Sequence, residues 1–195
     1  MGTRHVTVFD FDGTLTTKDT LFEFIRFAKG TWSLCWGVLC CLPVLLACLL
    51  HLCPNGKAKQ RFFSHFFQGM SYQQFCQLGS DFAAHIDTFQ RQSVLSELED
   101  CIAANHDVYV ITASIEEWVR PWCERHGVTH VLGTQVEQEG GLLTGRFSSP
   151  NCYGQEKVRR LLAAEPARDS YVLCVFGDSR GDEPLLAMAD KAIRI

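Results

Sequence analysis

Two aspartates, Asp10 and Asp12, flank Phe11 in the segment D-F-D-G-T-L-T. They follow an apolar, β-branched stretch that predicts a buried strand, so both carboxylates can face one site where the chain turns. One carboxylate could attack phosphorus, while the other protonates the leaving oxygen and later activates water. Two close carboxylates also need a counter-charge, and Mg²⁺, which prefers oxygen ligands, would supply it. An aspartate pair that only caps a turn is the alternative.

A second acidic pair, Asp178 and Asp182, lies in F-G-D-S-R-G-D after the apolar stretch YVLCVF. Because Asp178 follows a predicted strand, its carboxylate should point to the same edge of the sheet as Asp10 and bind Mg²⁺ directly. Asp182 could bind the ion through water or orient the ligands around it. The alternative is an ordinary acidic turn with a helix cap.

Phosphate ligands are predicted at two further places. Thr112 ends the strand DVYVIT, and its hydroxyl with the amides of Ala113 and Ser114, at a predicted helix start, would form an anion pocket. Ser114 and Glu117 match a capping box, which would leave Thr112 free. Lys157, in Y-G-Q-E-K-V-R-R, could neutralise a phosphoryl oxygen, although a solvated helix lysine is the alternative.

The elements that must position these residues alternate between strands and helices after about residue 105. Such alternation predicts an α/β fold, with a doubly wound parallel sheet covered on both faces and ligands at the carboxyl ends of its strands. The segment before it is mostly helical, with a helix opening at a capping box of Ser71 and Gln74. The predicted strands cover 5–10, 107–112, 130–132, 171–176 and 191–195, with a hairpin in 134–147.

In chain order, D-x-D-G-T, a strand-end Thr, a Lys and G-D-x-x-x-D resemble the haloacid dehalogenase phosphatase superfamily over the whole chain. The resemblance implies that Asp10 forms a phosphoaspartyl intermediate and that Asp12 is the general acid and base. It also implies that Thr112 and Lys157 bind phosphate, and that Asp10, Asp178 and the Asp12 carbonyl bind Mg²⁺.

The same resemblance implies a Rossmann-like core with an α-helical cap inserted after the first strand. We therefore expect a catalytic core of residues 1–16 and 89–195 and a cap of residues 17–88. The branch is similar to phosphoserine phosphatases.

Residues 32–53 form an apolar run without a charged residue. As one helix the run would be about 33 Å long at about 1.5 Å per residue, enough to cross a bilayer. A single crossing fails because Asp10 and Asp178, on either side of the run, must meet in one sheet. We therefore predict a hairpin that reverses at Pro43 and dips into the membrane, with basic flanks on anionic headgroups. A buried cap core or an oligomer interface are the alternatives.

With its apolar run, the chain also resembles the phosphatidylglycerophosphatase C group, through F-D-F-D-G-T-L-T, D-T-L-F-E-F-I-R-F, I-T-A-S, Y-G-Q-E-K and G-D-S-R-G-D. This resemblance implies a lipid phosphate monoester as the substrate, hydrolysed at the cytoplasmic face of the membrane. Two other functions stay open, a soluble cytoplasmic phosphatase of small metabolites and an inactive membrane-associated scaffold.

The amino-acid composition indicates which classes of binding partner to expect and which redox environment. The net charge of −4 and the lack of a basic stripe argue against nucleic-acid binding. The ten cysteines include no C-x-x-C pair, and the N-terminus has no long apolar segment of the signal-peptide kind. We therefore expect reduced thiols on the cytosolic side.

Overall fold

A computed structural model describes residues 4–50 and 52–195. In that part of the chain, five strands form one parallel sheet: β1 (Arg4–Phe9), β2 (Asp107–Ile115), β3 (His130–Thr134), β6 (Tyr171–Gly177) and β7 (Lys191–Arg194). Their order is β3-β2-β1-β6-β7, which places β1 at the centre with β2 and β6 beside it. The predicted hairpin forms a separate antiparallel pair, β4 (Val136–Glu139) and β5 (Leu142–Phe147).

Successive β1 side chains point to opposite faces of the sheet, so both faces are apolar and each is covered by helices. Val6 and Val8 pack in one core cluster, which also includes Leu161 and Leu185, and Phe9 packs in the other. The helices on the two sides are α5 (Gln92–Ala103) and α6 (Glu116–Arg125), and α7 (Gln155–Ala164) and α8 (Glu183–Met188). The predicted α/β fold with a doubly wound parallel sheet is confirmed.

In the described part of the chain, four α-helices lie between β1 and α5: α1 (Thr20–Lys29), α2 (Thr31–Leu49), α3 (Asn55–Phe67) and α4 (Tyr72–Ile86). The chain enters and leaves this segment side by side, since Thr16 and Gln90 form an isolated β-bridge. An aromatic cluster joins the segment to the core, with Phe24 of α1 stacked on Trp118 of α6 at 4.5 Å. We keep the name cap for residues 17–88, a division that stays a prediction.

The capping box predicted at Ser71 does not form. Ser71 is the residue before α4, but its side chain makes no cap hydrogen bond, and its backbone bridges to Leu142 of β5 instead. Pairing with the hairpin therefore replaces the local cap, a tertiary effect that local sequence rules do not include.

The reversal predicted at Pro43 is wrong. Helix α2 continues through Pro43 from Thr31 to Leu49, and α3 begins at Asn55. An internal proline removes one backbone hydrogen bond and can kink a helix without ending it. Helix α3 then returns along α2, so a helical hairpin does form, with α3 as its second arm.

Most of α2 is exposed, which argues against its burial as a cap core. Its buried side is narrow and consists of Leu34, Gly37 and Cys41. Gly37 allows close packing there, because an added Cβ would clash with the Phe66 ring of α3 unless that ring shifted. By length and composition α2 could cross a membrane. However, α3 returns to pack on it and β2 pairs with β1, so both ends of α2 join the same folded body.

Candidate active site

Residues from three strand ends meet at the carboxyl edge of the sheet. Asp10 follows β1, Thr112 lies near the end of β2, and Asp178 follows β6. All three line one cleft. The loop after Asp10 must approach Asp178 closely at Gly13, which has a φ of 80°; an added Cβ would lie 2.2 Å from Asp178 Oδ2. The left-handed backbone therefore favours glycine, and a larger residue would also displace the Asp178 carboxylate.

Lys157 is the best-fixed charge of the site. Its side chain is 2% exposed, and Nζ donates to Asp10 Oδ1 and to Asp182 Oδ1, each at 2.6 Å. Burial alone would lower the pKa of the Lys157 ammonium, but the two carboxylates raise it overall. The alternative of a solvated helix lysine does not fit this structure.

Asp182 holds the lysine and the loop before α8. Its Oδ1 accepts from Lys157, while Oδ2 accepts from the backbone N and the hydroxyl of Ser179 at 3.0 and 2.8 Å. Both carboxylate oxygens are thus engaged. Of the two predicted roles for Asp182, water-mediated metal binding and orientation of neighbouring groups, this geometry favours orientation.

The acidic cluster of Asp10, Asp178 and Asp182 suits a divalent cation. Each offers one oxygen, and these oxygens lie within 4.8 Å of one another. Burial raises the pKa of Asp10 to about 7, against the pull of Lys157, and burial also raises the pKa of Asp178. Three carboxylates near one ammonium, two of them buried, leave excess negative charge, which an oxygen-preferring ion such as Mg²⁺ would offset.

Asp12 lies nearby, but its carboxylate points to the base of the cap. Oδ1 accepts from the backbone N of Thr20 at 2.9 Å, and Oδ2 accepts from the Ser114 hydroxyl. Burial raises the pKa of Asp12. The predicted part of Asp12 in metal binding therefore depends on its backbone carbonyl, as the resemblance implied, and not on this carboxylate.

Two local predictions around β2 are wrong. The strand runs on to Ile115 and α6 begins at Glu116, so Ala113 and Ser114 precede the helix and do not form its first turn. No side chain caps α6, so the predicted capping box is absent. The Ser114 amide donates to Thr112 Oγ1 at 3.0 Å, and its hydroxyl is turned to Asp12. Phosphate binding by residues 112–114 stays a prediction.

A directed chain of hydrogen bonds holds Asp12. Trp118 Nε1, which can only donate, gives its proton to Thr20 Oγ1 at 3.1 Å. Thr20 Oγ1 lies 2.9 Å from Ser114 Oγ, which in turn contacts Asp12. When Asp12 is ionised, its carboxylate only accepts, so in that state Ser114 donates to Asp12 and Thr20 donates to Ser114. The orientation of Asp12 therefore depends on residues of α1 and α6.

Sequence reasoning missed Lys59 as a site residue. Lys59 is one of the basic residues that follow the apolar run, but α3 turns it into the cleft, where Nζ donates to the Ala113 carbonyl at 2.7 Å. Burial lowers the pKa of Lys59, with Asp12 opposing that shift. Lys59 lies two residues from both Lys57 and Arg61, so it lies on the opposite side of α3 from them. Only this spacing could have indicated that Lys59 points into the cleft while the other two point to solvent.

The cleft has a volume of about 990 Å³ and two chemically distinct parts. Its polar floor consists of Asp10, Asp12, Thr112, Lys157, Asp178 and Lys59. Apolar side chains of the cap form its mouth: Leu21, Phe22, Leu45, Cys48, Leu49 and Phe62. We call this whole cavity the catalytic cleft.

Comparison with known proteins assigns the family. The haloacid dehalogenase-like hydrolase family matches residues 7–187. The chain belongs to this family. Protein CicA of Caulobacter vibrioides is 30% identical over 189 residues, covering 94% of this chain and 82% of CicA. A probable phosphatase of Mycobacterium tuberculosis is 37% identical over 102 residues, covering 48% of this chain and 34% of that protein.

Solved structures share the fold. A protein of unknown function from Bordetella pertussis superposes with a TM-score of 0.79 at 18% identity, covering 95% of this chain and 87% of that chain. A substrate-bound phosphoserine phosphatase gives 0.73 at 14% identity, covering 100% and 87%. The predicted superfamily is confirmed, and the family supports the predicted phosphoric monoester hydrolase. The resemblance to phosphatidylglycerophosphatases stays a prediction.

Proposed function

We propose that this chain is a Mg²⁺-dependent hydrolase of lipid phosphate monoesters at a membrane surface. The observation that supports a lipid substrate is the apolar mouth of the catalytic cleft. Leu45, Cys48 and Leu49 line it from α2, whose outer side is an exposed apolar ridge that includes Leu46. A lipid could place its phosphate on the polar floor while its apolar part stays against α2.

Asp10 is the proposed nucleophile. Its Oδ1 is held by Lys157, which leaves Oδ2 to attack phosphorus in line with the leaving oxygen. The new bond joins Oδ2 to phosphorus, the ester P–O bond breaks, and Asp12 gives its proton to the leaving alkoxide. Burial, which raises the pKa of Asp12, favours this proton-carrying form.

The second half of the reaction reverses the part of Asp12. As a carboxylate it takes a proton from water, whose oxygen attacks phosphorus and releases Asp10. Lys157 neutralises a phosphoryl oxygen throughout, and Thr112 is the proposed hydroxyl donor to another. Mg²⁺, held by Asp10, Asp178 and the Asp12 carbonyl, would stabilise negative charge on the phosphoryl oxygens.

The membrane surface is the proposed place of action, with the α2–α3 hairpin in the headgroup region of the cytoplasmic leaflet. The exposed side of α2 carries large apolar residues, among them Trp32, Trp36, Leu39, Leu46 and Leu49. An exposed apolar ridge of this length on a helix is typical of interfacial docking or of an oligomer contact.

Phosphate release from a panel of esters tests the proposal. With Mg²⁺ and detergent, we expect turnover of phosphatidylglycerophosphate, phosphatidate or lysophosphatidate to exceed that of phosphoserine. Leu49→Gln, at the cleft mouth, should lower lipid-phosphate turnover and leave phosphoserine or p-nitrophenyl phosphate turnover unchanged. Equal losses on lipid and soluble esters would contradict a lipid-binding mouth.

A soluble small-metabolite phosphatase is the second candidate. The phosphoserine phosphatase structures support it, and so does a histidinol-phosphatase of Neisseria meningitidis that is 28% identical over 117 residues. This candidate would sit in the cytoplasm. Turnover of soluble esters far above that of lipid esters, with no effect of Leu49→Gln on either, would favour it. An inactive scaffold would require undetectable hydrolysis across the panel.

A further inference from the structure

A second cavity lies on the other flank of the α2–α3 hairpin. It has a volume of about 510 Å³, and its lining residues are Cys40, Cys41, Pro43, Val44, Arg61, Ser64, His65 and Gln68. None of them lines the catalytic cleft. We call this cavity the α2–α3 groove. One wall, from α2, is apolar apart from its thiols, and the other, from α3, is polar and basic.

The basic wall follows from the spacing on α3. Lys57, Arg61 and His65 recur every fourth residue, so they lie in one row along the exposed side of the helix. Lys59 and Phe62 point away from this row, into the catalytic cleft. Among residues 4–50 and 52–195, no carboxylate forms an ion pair with Arg61 or His65. Their donors are thus available to an outside anion.

The apolar wall is continuous with the exposed ridge of α2. Leu39, Leu42 and Leu46 flank the groove residues on the same helix and are 59%, 40% and 48% exposed. A guanidinium beside an aliphatic ridge matches a molecule with an anionic head and long hydrocarbon chains. A soluble anion would use only the basic wall, whereas a glycerophospholipid would contact both walls.

We propose that the α2–α3 groove binds the phosphodiester headgroup of an anionic glycerophospholipid, separate from the substrate in the catalytic cleft. The guanidinium of Arg61 pairs with the phosphodiester oxygens, and the ring N–H of His65 and the side chain of Gln68 add hydrogen bonds. The acyl chains lie along Leu39, Leu42 and Leu46. This proposal rests on the proposed membrane function. It also fixes how the protein lies on the bilayer, with both α2 and α3 parallel to the membrane surface.

Co-sedimentation with vesicles tests the groove. The probes are vesicles of phosphatidylcholine alone and of phosphatidylcholine mixed with phosphatidylglycerol. We expect tight binding only to the mixed vesicles. Arg61→Gln should weaken that binding by about 30-fold or more, because a charge-assisted hydrogen-bonded contact is lost.

Lys57→Gln is the matched control, since it removes the same charge one turn earlier on the same row, outside the groove. Loss of one surface charge should weaken binding by only about 5-fold. Equal effects of the two substitutions would mean diffuse attraction to the surface and would overturn the headgroup site. Equal binding of the wild type to both kinds of vesicle would overturn it as well.

Hydrolysis of p-nitrophenyl phosphate separates this proposal from the proposed function. Neither Arg61 nor Lys57 belongs to the catalytic machinery, so both variants should keep wild-type turnover of this soluble ester. Absence of hydrolysis in the wild type would contradict the proposed function, whereas the vesicle result stands on its own.

Discussion

Thr20→Val tests whether the hydrogen-bond chain to Asp12 matters for the reaction. The substitution keeps the shape of a buried side chain but removes the hydroxyl that links Trp118 and Ser114 at 3.1 and 2.9 Å. It leaves the buried Trp118 N–H without its partner, at a cost of about 1–3 kcal/mol in the free energy of unfolding. Ser114 then loses the donor that fixes its orientation toward Asp12.

We expect the turnover of an alkyl phosphate by Thr20→Val to fall by about 10- to 100-fold, part of the 10²- to 10⁴-fold that a positioned acid and base contributes. KM should change little, because Thr20 is not a phosphate ligand. The loss should be smaller for p-nitrophenyl phosphate, whose good leaving group needs less protonation. Thr20→Ser restores the hydroxyl and should restore most of the turnover.

Thr7→Val is the matched control. Thr7 is also fully buried, and its hydroxyl bonds to His106 Nδ1 at 3.0 Å within the sheet, away from the cleft. Thr7→Val should lower the free energy of unfolding, measured by heat or denaturant, by a similar amount to Thr20→Val and should leave turnover unchanged. The reasoning is refuted if Thr20→Val and Thr7→Val lower turnover equally, or if Thr20→Val loses the same factor on alkyl and aryl esters.

Three further predictions concern other parts of the molecule. Gly13→Ala should raise the Mg²⁺ concentration that gives half-maximal activity by about 10-fold or more. The added Cβ would displace the Asp178 carboxylate, and a left-handed conformation costs an alanine about 1–2 kcal/mol. An unchanged Mg²⁺ concentration for half-maximal activity would contradict this. Burial raises the pKa of Glu117 to about 7 from 4.5, so the wild type should lose up to about 3 kcal/mol of stability as the pH rises from 4.5 to above 7. Because the pKa of Asp10 is also raised to about 7, both proteins should lose stability over this pH range, but the loss in Glu117→Gln should be smaller by up to that amount in denaturant unfolding. Identical declines in the two proteins would count against it. Mixed anionic vesicles should shift tryptophan emission to shorter wavelength through Trp32 and Trp36, because the other two tryptophans are already buried; a double Trp→Phe variant should show no shift.

The sheet and its site were predictable because their signals are local. Each parallel strand is a short apolar, β-branched run, and Asp10, Thr112 and Asp178 directly follow or end such runs. Carboxyl ends of parallel strands share one edge, so the meeting of these residues follows from the strand pattern. The only sequence evidence that Lys157 belongs to the site was its position in the chain, between Thr112 and Asp178.

The errors concern choices that tertiary contacts decide. Pro43 does not end α2, because the helix is held along Leu34, Gly37 and Cys41 by α3, and sequence alone cannot weigh that packing against one lost hydrogen bond. Ser114 has the type and spacing of a helix cap, yet Asp12 competes for its hydroxyl.

Ser114, whose hydroxyl donates to Asp12, lies 102 positions away from it in the chain. The residues that orient this hydroxyl, Thr20 and Trp118, lie on two different helices. No local pattern carries that information. The same holds for Lys59, whose contact with Ala113 depends on how the cap sits on the sheet.

Detection of a phosphoryl group on Asp10 tests the central claim most directly. The wild-type protein is mixed with Mg²⁺ and p-nitrophenyl phosphate, quenched in acid within the first turnovers, and digested for peptide mass spectrometry. The account predicts one added phosphoryl group on the peptide that contains Asp10, absent from Asp10→Asn. A phosphoryl group on another residue, or phosphate release by Asp10→Asn at the wild-type rate, would contradict it.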